Sequence, residues 1–128
     1  MNNYRPHGKI ASIVNTMQDI DEVSKRTGEV FIARISSRYD LAGAVLFGSR
    51  ARHTHRLDSD ADIAVLLHGA HADRTKAAID MAGIAFDVMM ETGVLVDALP
   101  LWEDEFENPD NFSNPKLIAN IRREGIRL

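Results

Sequence analysis

Two seven-residue apolar runs, Leu41–Phe47 and Ala61–Leu67, constrain this chain more than any other feature. Each is short and almost free of charge. The first stops at Gly48-Ser49 and the second at His68-Gly69, as a buried strand does on entering a turn. Helical spacing surrounds them. A helix is predicted from about Asp21 to Ser37, with Ile20, Val23, Val30 and Ile35 among its apolar positions and Gly28 weakening its middle. Arg50 to Arg56 reads as a brief helical turn or loop. A longer helix follows over Asp73 to Thr92, with Ala78, Met81, Ala82, Ala85, Val88 and Met89 on its buried face and Gly93 as its stop. Val94 to Leu99 reads as a third strand, broken by Pro100. Trp102 and Phe106 are helically spaced and read as a segment capping the sheet. Ser113-Asn114-Pro115 is a polar cap followed by proline, so a last helix is expected to run to about Glu124 and end at Gly125. The fold class expected is α/β: a small mixed three- to four-stranded sheet flanked by helices, in one domain spanning 1–128 whose residues 1–12 are weakly ordered.

Composition narrows the function classes. A chain of 128 residues with 45% hydrophobic and 27% charged residues can bury one core and belongs with globular proteins. The absence of cysteine excludes a disulfide framework, a thiolate zinc site and a cysteine nucleophile, and it fits a reducing compartment. No apolar stretch is long enough to span a bilayer and the first residues lack the apolar core of a signal peptide, so cytoplasmic residence without membrane attachment is expected. The formal net charge is -4, with both signs interspersed. That argues against general nucleic-acid binding, which needs a basic stripe. A local basic patch is still enough to hold a nucleotide.

The chemistry concentrates in Phe47-Gly-Ser-Arg-Ala-Arg52 and Ser59-Asp-Ala-Asp-Ile-Ala-Val65. Asp60 and Asp62 lie two residues apart at the start of a strand, so their side chains point to the same face. Carboxylates held side by side repel unless cations sit between them, and Mg²⁺ favours such hard oxygen ligands. In two-metal sites the ions lie about 3.5–4 Å apart and clamp the attacking and leaving oxygens of an in-line displacement. Gly48 lets backbone approach a ligand closely. If Ser49 to Arg52 open a helical turn, free amides at its start suit phosphate, with the Ser49 hydroxyl as a further donor and Arg50, Arg52 and Arg56 supplying positive charge. Taken singly, each piece is commonplace: a turn, a strand edge, a solvated arginine run. In this order, with ten residues between Ser49 and Asp60, they point to polyphosphate and its metal.

The segment resembles the DNA polymerase β-like nucleotidyltransferase superfamily, whose hallmark is a hydrophobic residue, Gly-Ser, a spacer, and Asp-hydrophobic-Asp-hydrophobic. Here these are Phe47, Gly48-Ser49 and Asp60-Ala61-Asp62-Ile63. The chain looks most like the minimal nucleotidyltransferases, which in prokaryotes often pair with HEPN-domain proteins as antitoxin and toxin. The resemblance implies a polymerase β palm-like fold, Gly48, Ser49, Arg50 and Arg52 binding the nucleotide, and Asp60 and Asp62 ligating two Mg²⁺ ions. It also implies a third carboxylate that joins the metal site and helps deprotonate the acceptor. Asp97, on the next expected strand, is the best match, although a polar residue at a strand edge is an equally ordinary reading of it. Asp87 is the rival if 84–90 is itself a strand. The activity implied is transfer of a nucleoside monophosphate, AMP from ATP foremost, to an acceptor hydroxyl on a HEPN-type partner. The alternative is a binding module that neutralises a partner or forms a homo-oligomer.

Other features carry less. His53 and His55, and His68 and His71, lack the spacing of a closed zinc site and read as surface residues. Arg122, Arg123 and Arg127 read as offsetting the dipole of the last helix.

Overall fold

The computed structural model describes residue 13 and residues 15–128. The expectation of weak order for residues 1–12 lies outside them. Helix α1 (Glu22–Ser36) is followed by β1 (Leu41–Phe47), the short α2 (Ser49–Arg52), β2 (Ala61–Leu67), α3 (Arg74–Thr92) and β3 (Val96–Trp102). The chain then runs through α4 (Glu103–Glu107), a 3-10 turn at Pro109–Asn111, α5 (Pro115–Glu124) and β4 (Ile126–Arg127).

The sheet has four strands in the order β3-β2-β1-β4. β1 pairs antiparallel with both β2 and β4, whereas β2 and β3 are parallel and joined by α3. The sheet is therefore mixed, as expected. Side-chain alternation splits the apolar residues into two layers. Ala44, Leu46, Ile63 and Val65 face Phe31, Ile35, Met81 and Val88 of α1 and α3. Val45, Ala64, Leu66 and Leu101 face Phe106, Ile118 and Ile121 of α4 and α5. Both faces are covered, which is why β1 and β2 read as nearly continuous apolar runs.

Local chemistry sets the boundaries. Asp21 caps α1 by accepting from the Ser24 amide, Asp73 caps α3 through the Lys76 amide, and Asn114 caps α5 through the Leu117 amide. Gly93 ends α3 in the left-handed region at φ 82°. Gly28 is tolerated in α1 because it is buried against Leu128, whose Cδ2 would lie 3.3 Å from an added Cβ.

Four details depart from the sequence reading. β3 begins at Val96 and passes through Pro100 to Trp102. It is the outer strand, where a missing N–H breaks no ladder bond, and the Pro100 carbonyl is taken by Arg74 Nη1 at 2.8 Å. On α3, Ala82 is exposed and Ile84 is buried in its stead. Val23, read as apolar core, is 51% exposed at the start of α1. Arg127 lies in β4 opposite Val45, beyond the end of α5, so it is not a helix-terminal cation.

At the far end of the sheet from Asp60, Tyr39 Oη donates to Asp80 Oδ2 at 2.5 Å, tying the turn before β1 to α3. Burial, and then that bond and the Asp80 charge, push the Tyr39 hydroxyl up to about 12. The folded protein thus holds this proton more tightly than the unfolded chain. The resulting stabilisation is complete below pH 10 and lost as pH rises towards 12. Tyr39→Phe is expected to cost about 1 kcal/mol at neutral pH and to remove that alkaline loss, measured by urea unfolding at a series of pH values.

Among the described residues, no helix is long and apolar enough to cross a membrane.

Candidate active site

The fold brings the two halves of the motif to one end of the sheet. Phe47, the last residue of β1, lies opposite Asp62 of β2, and Asp62 lies opposite Asp97 in the parallel pairing of β2 with β3. Asp62 alternates with Ile63, and Asp97 with Val96 and Ala98, so both carboxylates project to the face that carries Ala64, Leu66 and Leu101. Asp60 directly precedes β2 and is exposed. Asp97 is exposed as well, while Asp62 is half-buried.

Asp62 responds to its two acidic neighbours. Burial, and after it the charges of Asp97 and Asp60, push the Asp62 carboxyl above its ordinary range, with Arg52 pulling the other way. Strand register and alternation thus bring Asp60, Asp62 and Asp97 into one grouping. Asp87 does not share it, since it lies within α3 with its side chain exposed. As they stand, no three His, Cys, Asp or Glu side chains among the described residues are gathered tightly enough to cage a metal ion.

Gly48 is wedged against the same acid. It caps α2 at φ 74° and ψ -154°, a conformation closed to most side chains. A Cβ there would collide with Asp62 Oδ2 and lie 3.1 Å from its Cγ. Backbone strain and side-chain collision therefore demand glycine at the point where β1 turns beside the carboxylates. Gly48→Ala is expected to destabilise the domain by about 2–4 kcal/mol, the sum of a left-handed alanine and a displaced Asp62, measured by thermal or urea unfolding. Past Gly48, its carbonyl accepts from the Ala51 and Arg52 amides, closing the single turn of α2. In such a turn the first amides have no acceptor within the helix. Ser49 stands at that start, partly exposed.

The arginines divide. Arg52 is half-exposed, pairs with Glu124 of α5 at 3.1 Å, and its charge partly opposes the upward shift of Asp62. It remains a candidate for nucleotide contact. Arg50 does not. It is 2% exposed, and its guanidinium donates to the Ser59 carbonyl at 2.9 and 3.1 Å, to the Leu57 carbonyl at 3.3 Å and to Ser24 Oγ at 3.0 Å. Arg50 therefore pins the loop that delivers Asp60 to α2 and α1, and its donors are spent inside the protein. No sequence signal separates it from its neighbours, because its partners, Leu57 and Ser59 in the following loop and Ser24 in α1, meet it only once the chain has folded. The same loop is tied by the Arg56 amide to Ser59 Oγ at 2.9 Å, and His55 Nε2 lies 3.5 Å from Asp21 Oδ1.

His68 and His71 lie elsewhere. His68 pairs with Glu103 at 3.1 Å, and His71 pairs with Asp104 at 2.6 Å while stacking on Trp102.

Residues 31–128 match the family model described as polymerase beta, nucleotidyltransferase. That range covers β1, α2, β2 and β3 and so includes every residue of the acidic site. No curated protein matches the chain. Among solved structures, the chain is similar to a Sulfolobus solfataricus protein whose own nucleotidyltransferase assignment is provisional. The two are 21% identical, over 88% of this chain and 86% of that one, with a TM-score of 0.44. The assignment therefore rests on the sequence match and on the mixed sheet that carries Gly48-Ser49 beside Asp60 and Asp62: the chain belongs to the polymerase β nucleotidyltransferase family.

Proposed function

We propose that the chain catalyses Mg²⁺-dependent transfer of AMP from ATP to a hydroxyl on a HEPN-type partner protein, acting as the antitoxin of that pair. The observation that carries the nucleotidyl-transfer reading is the placement of Asp97 in register with Asp62, two residues after Asp60, with Asp62 pressed against the Gly48 turn. Negative charge concentrated in this way favours a cation. The donor set fits Mg²⁺, which commonly takes one or two carboxylates and completes its shell with substrate phosphates and water. A full protein cage is not required. Bound between Asp60, Asp62 and Asp97, two Mg²⁺ ions would neutralise the triphosphate and the departing pyrophosphate.

In this reading the chain's own residues divide the work. Ser49 and the amides opening α2 bind the β- and γ-phosphates, and Gly48 allows them to come close. Arg52 adds charge from the side of α5. Asp97 accepts the proton of the acceptor hydroxyl, whose oxygen bonds to the α-phosphorus as the bond to the pyrophosphate oxygen breaks. Positioning and fixed charge supply most of the rate. The HEPN-type acceptor and the choice of ATP rest on the resemblance of Gly48-Ser49 and Asp60-Ala61-Asp62-Ile63 to the minimal nucleotidyltransferases.

The test is incubation with α-labelled ATP, Mg²⁺ and a HEPN-type partner, beside Asp60→Ala. Label is expected on the partner with wild type and not with the variant. Mg-ATP binding by calorimetry without label transfer would overturn the acceptor. Absence of Mg-ATP binding would overturn the transferase reading itself.

A further inference from the structure

We propose that the outward face of α3 is a self-association surface, on which a second copy of this chain lays its own α3 antiparallel about a two-fold axis between Ala82 and Gly83. α3 buries Met81, Ile84, Ala85 and Val88 against the sheet and α1. On the opposite face stand Ile79, Phe86 and Met90, which are 70%, 54% and 72% exposed. They recur at helical spacing with Ala82 and Gly83 between them, so they form one continuous stripe. A helix that is apolar on two opposite faces has a partner for each. The domain supplies one.

The stripe fits a copy of itself. An axis between Ala82 and Gly83 sets Ile79 of one chain against Phe86 of the other, and the converse, as an isologous interface requires. The two smallest residues of the stripe then fall at the crossing point, where helix axes approach most closely. Gly83 has no internal reason to lack a side chain: apart from its chain neighbours and the surrounding helix backbone, no described atom lies within 4 Å of where a Cβ would stand. Glycine inside a helix costs about 1 kcal/mol relative to alanine, so a close external approach accounts for it.

Charge follows the same symmetry. Lys76 and Asp87 lie on the same flank of the stripe, both exposed, and neither forms an ion pair among the described residues. The axis that pairs Ile79 with Phe86 brings Lys76 of each chain beside Asp87 of the other, twice per dimer. A parallel arrangement would set like against like.

Sedimentation of the full chain over a concentration series tests this. A dimer is expected, and Phe86→Glu is expected to leave a folded monomer. Lys76→Glu and Asp87→Lys should each weaken the dimer by about tenfold or more, and the double exchange should restore it. A chain that stays monomeric up to about 100 µM, whatever else it captures, overturns the proposal. So does a dimer indifferent to Phe86→Glu. Failure of the double exchange to restore the dimer overturns the antiparallel register. All these substitutions lie on exposed positions, and circular dichroism checks that each variant is folded.

Discussion

Asp62→Asn is expected to lower nucleotidyl transfer by on the order of 10³-fold, the scale on which one preorganised charge-stabilising group acts, while making the unliganded domain more stable. The two effects have one cause. The Asp62 carboxylate is disfavoured first by burial and then by Asp97 and Asp60, so the folded chain binds its proton more tightly than the unfolded chain does. Its contribution is most favourable below the ordinary carboxylate pKa and falls as pH rises through the raised folded value. At neutral pH wild type therefore carries a penalty that asparagine removes. Melting temperatures measured with and without Mg-ATP separate the terms. Wild type should gain from Mg-ATP and the variant should not, yet the variant should melt higher when both are unliganded. A variant that melts lower than wild type in both conditions would count against the crowding of these acids.

Arg74→Met is expected to cost about 3–5 kcal/mol, more than Glu105→Gln. Glu105 is 2% exposed and receives Arg74 Nη2 at 2.6 Å, Arg74 Nη1 at 3.0 Å and the Trp102 amide at 2.9 Å. Arg74 also lies 5.0 Å from the ring centres of both Trp102 and Phe112. Its side chain remains 34% exposed, so it retains water when Glu105 loses its charge. The carboxylate at 3% side-chain exposure has no such recourse. Removing the arginine strands a buried anion, whereas neutralising the glutamate leaves a cation that is partly solvated and still stacked on rings. The double variant Arg74→Met/Glu105→Leu should recover most of the loss. Equal costs for the two single substitutions, in urea unfolding, would contradict this account.

The elements with strong local signals were legible in the sequence. β1 and β2 lie where their apolar runs begin and end, and α1, α3 and α5 start beside Asp21, Asp73 and Asn114, whose side chains satisfy the first free amides. β3 was harder, because Pro100 reads as a break until it is known to lie on an outer strand. β4 has two residues and no pattern of its own; only its pairing with β1 makes it a strand. In the site, the spacing of Asp60 and Asp62 and the turn at Gly48 were visible, since strand alternation and positive φ are local properties. Asp97 could be favoured over Asp87 only by assuming that it lay on the neighbouring strand, and the register sets it opposite Asp62. Arg50 differs for the opposite reason: only the folded loop shows that Ser24, Leu57 and Ser59 absorb its donors.

The outer strand has a bearing on how the molecule can polymerise. An open sheet edge recruits foreign strands through free amides, and β3 offers a proline there with its carbonyl already claimed by Arg74. At the opposite margin, the Arg127 amide donates to the Asn15 carbonyl and Thr16 bridges to Arg127, so incoming backbone meets an occupied ladder. Both margins thus carry features that disfavour fibre-like growth by strand addition.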